Sequence, residues 1–176
     1  MKKLLLITAT LSMMTSGVMA QNIYVGVGAG IEMVEDLDNG VHGELSVGTV
    51  FPNNFGIEGK LTKSISKPED TQGSDSITAD IFTASVFATY SHRLSPELTL
   101  MPKVGFSSYS TDIELKIGGA TGSDDDSNVN VAFGLDVKYD MNPETSLYVG
   151  YTVFKPEFNN NKFDSSHVSF GVQQKF

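Results

Sequence analysis

The chain has 176 residues, a formal net charge of −9 and no cysteine. This acidic balance argues against a nucleic-acid-binding protein, because phosphate binding needs clustered lysine and arginine. The length suits one domain with a sizeable core or one small barrel. Without disulfides, an exported chain must be held by another device, such as a closed ladder of backbone hydrogen bonds.

Residues 1–20 have the pattern of a secretory signal peptide. Lys2-Lys3 supplies a positive start, an apolar run extends from Leu4 to about Leu11, and Val18-Met19-Ala20 is a small-residue cleavage site. A membrane-anchoring helix is the alternative, but serine and threonine residues interrupt the apolar run. We predict that this segment is cleaved and that residues 21–176 form the mature domain. That domain contains no apolar run of about 18 residues or more, so no transmembrane helix is predicted.

The mature chain alternates apolar with polar or small residues in about eight stretches. Period-two patterning predicts β-strands with one apolar and one polar face. The predicted apolar rows, taken at every second residue, are Ile23–Met33, Val41–Phe51, Phe55–Ile65, Phe82–Tyr90, Leu98–Phe106, Val129–Tyr139, Leu147–Val153 and Val168–Phe176.

The connections between these strands alternate between long and short. The long ones are polar and mostly acidic, as in residues 35–40 and 66–76, whereas the short ones contain turn-forming residues, as in Pro52-Asn53-Asn54. A β-sandwich has no reason for this alternation, but a transmembrane barrel has short periplasmic turns and longer external loops. The pattern therefore favours a barrel over a secreted sandwich.

Pro102 lies inside the fifth predicted strand. Proline cannot donate a ladder hydrogen bond, and a closed barrel has no edge strand on which to place it. We therefore expect a β-bulge at this position.

Beyond the fifth strand, the chain is expected to continue to Ile117 and to turn at residues 118–122, with Asp124-Asp125-Asp126 beside the turn. We interpret this acidic run as a solvated loop tip. The alternative is a Ca²⁺ site, but the run lacks the spacing and closing glutamate of an EF-hand loop.

The last strand alternates up to the terminal Phe176, and this ending resembles the closing strand of bacterial outer-membrane β-barrels. Over residues 21–176, the alternation, loop asymmetry and ending together are similar to the small barrels of the OmpA transmembrane-domain and OmpX type. The resemblance implies an all-β, eight-stranded, antiparallel up-and-down transmembrane barrel in the outer membrane of a Gram-negative bacterium. It also implies that the assembly machinery reads the last strand through Phe170, Val172 and Phe176.

Aromatic residues recur where predicted strands meet the short turns. Such rings form girdles at the membrane interfaces of barrels. We therefore predict a girdle at the short-turn side, and its members are Phe51, Phe55, Tyr90, Tyr139 and Phe176.

Charged residues of both signs occupy the polar rows, which face the lumen of the predicted barrel. Charges removed from bulk water must pair, so we predict a network that plugs the lumen. An eight-stranded barrel is just wide enough to be filled by its own side chains. The alternative is a narrow ion-conducting pore. The predicted network comprises Glu32, Glu44, Glu58, Lys60, Lys103, Asp136, Lys138 and His167, with His42 in the same row.

His167-Val168-Ser169 resembles the His-x-Ser pair of lipid A deacylases, in which histidine activates serine. That pair must face lipid to reach an acyl ester, whereas the phase set by Phe176 turns His167 and Ser169 inward. We therefore expect no catalytic residue, and the sequence indicates no cofactor and no metal site.

The leading functional hypothesis is a non-enzymatic, monomeric outer-membrane barrel with a structural or surface-interaction role. A narrow porin and a lipid A-modifying enzyme remain as alternatives. The expected partners are outer-membrane lipid, lipopolysaccharide and the assembly machinery, with no nucleic acid. Lys63 is predicted to face outward and to reach toward lipid phosphates.

Overall fold

The computed structural model describes residues 22–34, 39–66, 69–72, 75–117, 120–154, 157–158, 161–162 and 165–176. The predicted signal peptide at residues 1–20 lies outside these ranges. No helix among the described residues is long and apolar enough to cross a membrane. The eight long strands are β1 (Asn22–Val34), β2 (Gly40–Val50), β3 (Phe55–Ser66), β4 (Asp75–Tyr90), β5 (Leu98–Ile117), β6 (Ala120–Asp140), β7 (Thr145–Phe154) and β8 (Ser165–Lys175).

The eight strands form one closed antiparallel barrel. Each strand pairs with its neighbours in the sequence, and β1 pairs with β8 to close the ring, from Tyr24 opposite Lys175 to Val34 opposite Ser165. Closure leaves no long strand with an unpaired edge, which is the condition for a sheet to lie in lipid. The predicted eight-stranded up-and-down architecture is confirmed.

The barrel has an apolar outer face and a polar interior. Along β6, the residues of the predicted apolar row are exposed on the outside, and Phe133 is 58% exposed. The intervening residues of the same strand, such as Asp136 and Lys138, are buried in the lumen. The predicted phase of every strand agrees with this inside-out arrangement, including that of β4, where both faces carry apolar residues.

Three short turns and both described termini lie at one end of the barrel, which we call the short-turn end; the other is the long-loop end. The turn between β2 and β3 places Asn54 at a φ of 66°, a left-handed conformation that asparagine tolerates better than most residues. In the turn between β6 and β7, the side-chain oxygen of Asn142 accepts hydrogen bonds from the backbone N–H groups of Glu144 and Thr145. Side-chain capping of this kind lets the chain reverse direction in a few residues.

The predicted bulge at Pro102 is wrong. The register between β5 and β6 continues unchanged through this position, with Pro102 opposite Leu135. On its other side, the ladder is interrupted between the pairs Thr89–Lys103 and His92–Leu100. Pro102 therefore lies where no backbone donor is required on that side, and the strand needs no extra residue.

The interpretation of Asp124–Asp126 as a loop tip is also wrong. The β5–β6 ladder extends until Ile117 faces Ala120. The acidic run belongs to the ladder, with Asp124 opposite Ile113 and Asp126 opposite Thr111. Shorter ladders continue the sheet within other predicted loops, including Glu69–Gln72 against residues 75–78.

Candidate functional site in the barrel lumen

The inward rows fill the lumen with charged and hydroxyl-bearing side chains. Burying such groups is costly unless each finds a partner, so their contacts determine what the lumen can do. All members of the predicted network are buried, and most of them meet in three clusters stacked along the barrel axis.

The cluster nearest the short-turn end is centred on Lys103. Its Nζ donates to both oxygens of Asp136, at 2.7 and 2.8 Å, and lies 3.4 Å from Glu58 Oε1. The hydroxyl of Tyr24 donates to Glu58 Oε2 at 2.8 Å. One ammonium is thus held between two carboxylates from different strands, β3 and β6, while its own strand is β5.

The middle cluster is centred on Glu44 of β2. Lys60 Nζ donates to both carboxylate oxygens, at 3.0 and 3.1 Å. Ser169 Oγ donates to Oε2 at 2.8 Å, and the Tyr148 hydroxyl donates to Oε1. Glu44 therefore links β2 to β3, β7 and β8.

The cluster nearest the long-loop end is centred on Glu32 of β1. Ser64 Oγ donates to Oε2 at 2.8 Å, and the Tyr109 hydroxyl donates to Oε1 at 3.1 Å. His167 Nε2 lies 3.1 Å from the same Oε1. This carboxylate receives partners from β3, β5 and β8.

Two histidines join the middle and long-loop clusters. The rings of His42 and His167 stack with centroids 4.6 Å apart, and Phe154 packs against His167 at 4.7 Å. Glycines on β1 make room for these interior groups. A Cβ at Gly30 would lie 2.8 Å from the His42 ring, and one at Gly28 would collide with the Tyr148 hydroxyl.

The arrangement around Ser169 differs from a nucleophile–base pair. Ser169 donates its hydroxyl proton to Glu44, and its Oγ lies 3.0 Å from His42 Nε2. His42 Nδ1 has no hydrogen-bond partner in the described part of the chain, so no carboxylate orients the ring as a base. His167, the partner suggested by the sequence, binds Glu32 instead. Both members of the His-x-Ser pair are enclosed in the lumen, away from lipid.

Lys138 is the network member that the clusters do not include. Within the described residues, no carboxylate lies within 4.0 Å of its Nζ, which instead sits over the Tyr24 ring, 4.2 Å from the centroid. It borders an open cavity of about 380 Å³ at the short-turn end. At the rim of that cavity, Lys175 Nζ donates to Asp140 Oδ1 at 2.7 Å.

The predicted aromatic positions lie at the short-turn end. Phe55 and Tyr90 are exposed on the outer face, with ring centroids 5.1 Å apart, and Tyr139 and Phe176 are exposed as well. Phe51 differs, since it is half-buried and borders the cavity. On the last strand, Phe170 and Val172 face outward.

Sequence reasoning missed three tyrosines that complete the clusters. Tyr24, Tyr109 and Tyr148 each donate to a buried glutamate. Tyr24 and Tyr148 belong to the predicted inward rows. A tyrosine hydroxyl placed among buried charges usually finds a hydrogen-bond partner, and this signal could have identified them. Among the described residues, no group of three or more His, Cys, Asp or Glu side chains is placed to hold a metal ion.

Solved structures with the same fold are small outer-membrane barrels. Ail, the attachment invasion locus protein of Yersinia pestis, crystallised with the heparin analogue sucrose octasulfate, superposes with a TM-score of 0.62 at 16% identity, covering 88% of this chain and 98% of Ail. Neisserial surface protein A gives a TM-score of 0.62 at 17% identity, and the match covers 88% of this chain and 96% of that protein. OprG from Pseudomonas aeruginosa gives a TM-score of 0.60 at 12% identity, and the match covers 88% of this chain and 95% of OprG.

No curated protein sequence matches the chain. A family model does match, namely that of the outer membrane protein beta-barrel domain, over residues 4–176. Together with the closed barrel and its apolar outer face, this match shows that the chain belongs to the outer-membrane β-barrel family and is a protein of the bacterial outer membrane.

Proposed function

We propose that this protein is a non-enzymatic outer-membrane barrel with a plugged lumen, and that its interactions are made by its outer wall and long-loop end. The observation that carries the proposal is the arrangement around Glu32, Glu44 and Glu58. Each of these carboxylates receives partners from at least two other strands. In keeping with its loop asymmetry, we place the short-turn end in the periplasm.

Ion passage would require these contacts to separate. The carboxylates are bound by ammonium and hydroxyl groups across the full width of the lumen, and an unpaired buried charge is costly. A mobile ion must therefore compete with partners at 2.7–3.1 Å that are already in place. A barrel of eight strands also has little interior volume beyond its own side chains.

Single-channel recording in planar bilayers tests the plug. We expect the refolded protein to insert without stable conductance steps. Insertion is checked independently by protection of the barrel from added protease. Reproducible steps from protease-protected protein would contradict the plug and favour the alternative, a narrow channel.

The long-loop end is acidic, and this determines which partners suit it. Ail was crystallised with a polyanion, sucrose octasulfate. In this chain the sequence of the long connections and of the long hairpin contains acidic stretches such as Glu35-Asp36 and Asp124-Asp125-Asp126. Like charges repel, so we propose that this end avoids sulfated glycans and selects neutral or cationic surfaces. Retention on heparin resin at physiological ionic strength would contradict this, and passage without retention is expected.

The outer wall is the surface offered to lipid and lipopolysaccharide. Its apolar row on each strand faces hydrocarbon, and Lys63 is exposed on the outside of β3, three residues before the strand ends. From there its long side chain can carry the ammonium toward lipid phosphates while the stem stays against the wall. Lys63→Ser should weaken lipopolysaccharide binding to the refolded barrel. Unchanged binding by this variant would remove the contact from the proposal.

A separate experiment tests whether the protein deacylates lipid A. Because His167 and Ser169 are enclosed, we expect that cells overproducing the protein retain fully acylated lipid A. Mass spectrometry of extracted lipid A provides the measurement. A deacylated species that depends on Ser169 would establish the lipid A-modifying alternative.

We also propose that Phe170, Val172 and Phe176 direct assembly. All three are exposed on the outer face of β8, so the machinery can reach them before the barrel enters lipid. Phe176→Ser should reduce insertion in cells while leaving refolding in detergent unchanged. Phe106→Ser, which removes another exposed aromatic from the wall, is the control. Equal insertion of both variants would overturn the assignment.

A further inference from the structure

The cavity at the short-turn end is an open depression of about 380 Å³ in the mouth of the barrel. Val50, Phe51 and Pro52 form part of its wall, and Lys138 and Gln173 lie on its inner side. Its volume is about ten times the share of one water molecule in the liquid, so it has room for a small ligand. The cavity lies below the ion-paired clusters, and the ring of Tyr24, which donates to Glu58, forms part of the boundary between them.

The charges around this cavity do not balance. Lys138, Arg93 and Lys175 border it, with Asp140 as the only carboxylate among its described lining residues. Lys175 is already paired with Asp140 at 2.7 Å. Lys138 and Arg93 have no carboxylate within 4.0 Å among the described residues, although Glu58 and Asp136 attract Lys138, and Asp140 attracts Arg93, over longer distances. The described lining residues therefore carry three positive charges and one negative charge.

Lys138 has no carboxylate in contact with it among the described residues, which is unusual for so buried an ammonium. Lys138 is only 7% exposed, yet the group in direct contact with its ammonium is the face of the Tyr24 ring, and Glu58 and Asp136 attract it only from beyond 4.0 Å. The other lumen lysines, Lys60 and Lys103, each bind a carboxylate through two oxygens. A ring face offsets only part of the cost of burying an ammonium. An anion in the cavity would supply the missing partner.

We propose that the periplasmic mouth of this barrel is a binding site for a phosphate-type oxyanion. Lys138 binds the anion from the inner side, and Arg93 binds it from the rim. A phosphate dianion matches the excess of two positive charges among the lining residues, and the planar guanidinium of arginine suits phosphate oxygens. The same chemistry is presented by free phosphate in the periplasm and by the headgroup of an inner-leaflet phospholipid. The site is independent of whether the lumen conducts.

The test uses the full barrel refolded in an uncharged sugar detergent, which contains no phosphate. Inorganic phosphate is added while the backbone amide resonances of Phe51, Asn54 and Thr99 are followed by NMR. We expect saturable shifts that weaken as sodium chloride is raised, because salt screens the charges. Absence of any saturable shift up to about 10 mM phosphate, together with no response in the lipid titration described next, would overturn the proposal.

A second titration distinguishes the two sources. Dioctanoyl-phosphatidylglycerol is compared with dioctanoylglycerol, which has the same chains and no phosphate. Shifts with the phospholipid that compete with inorganic phosphate identify a headgroup ligand, whereas shifts with inorganic phosphate alone identify the free anion. Equal shifts with both lipids, and none with phosphate, would mean that the cavity accepts acyl chains, and would overturn the proposal.

Three variants assign the site. Lys138→Met should weaken phosphate binding about tenfold or more, since it removes a charge-assisted contact, and Arg93→Gln should weaken it less. Lys116→Met is the matched control, because Lys116 lies opposite Ser76 and Thr121 at the long-loop end of β5. Equal weakening by Lys116→Met and Lys138→Met would show a nonspecific charge effect and contradict the site. Arg93 lies near a turn and is exposed, so Arg93→Gln tests the proposal even if Lys138→Met fails to fold.

Discussion

The cluster nearest the short-turn end and the mouth below it use the same residue type in opposite ways. In the cluster, Lys103 is held between Asp136 and Glu58, with its shortest contact at 2.7 Å. At the mouth, Lys138 has the ring of Tyr24 in place of a carboxylate. Both ammonium groups are buried. The difference teaches that burial alone does not determine the role of a lysine in this barrel. A directly paired ammonium joins strands, whereas one without a carboxylate in contact is the position at which we propose that an anion binds.

The largest expected effect comes from Lys103→Met. The substitution keeps the length of the side chain but leaves two buried carboxylates without their ammonium. Breaking a buried pair in this way costs about 3–5 kcal/mol of the free energy of unfolding. Urea titration of the refolded barrel measures the loss.

A triple variant provides the control for this prediction. Replacing Glu58 and Asp136 by their amides together with Lys103→Met removes the charges on both sides. Much of the lost stability should return, because the two carboxylates that had lost their ammonium are then neutral. A single variant as stable as the wild type would show that water already solvates this layer, which would weaken the plug.

An intermediate effect is expected for Tyr148→Phe, which removes one donor from Glu44. Lys60 and Ser169 remain bound to the carboxylate, so the loss should be about 1.5–3 kcal/mol, typical of a hydrogen bond to a charged group. Tyr151→Phe on the same strand is the matched control, since that ring is exposed on the outer face and its change should be close to zero. Equal losses in the two variants would assign the effect to the strand and not to Glu44.

The smallest expected effect is that of Lys138→Met on stability. The contact with the Tyr24 ring and the longer-range attraction to Glu58 and Asp136 are lost, and the cost of burying an ammonium is relieved at the same time. The free energy of unfolding should stay within about 1 kcal/mol of the wild type. A loss as large as that of Lys103→Met would contradict the distinction between the two lysines.

The sequence was sufficient to predict which side chains face lipid. In β6, alternation alone separates Val137 and Tyr139 from Asp136 and Lys138, because a two-residue period has only two possible phases and one of them would place charges in hydrocarbon. The same reasoning turned His167 inward and removed the apparent catalytic pair. These predictions depend only on local periodicity, which a single sequence displays in full.

Contacts across the lumen could not be predicted, because they depend on register around the whole ring. Glu32 and Tyr109 are 77 positions apart, and nothing local indicates that one donates to the other. The same limit explains why Lys138 has no carboxylate within 4.0 Å among the described residues, although its charge suggested a pair. Hairpin length was likewise hidden, since Asp124–Asp126 are typical of loops but here continue a ladder.

The contacts of Glu32 and Glu44 have a consequence for how the ring closes correctly. A two-residue slip between β1 and β8 would preserve the alternation of inward and outward residues, so the lipid-facing wall cannot reject it. In the lumen, such a slip would carry His167 about 7 Å along the strand from Glu32 and displace Ser169 from Glu44 by the same distance. Both carboxylates would lose partners in a space with little water. The polar interior therefore selects one register among those that the membrane would accept. Correct closure of the barrel depends on the contacts in its lumen.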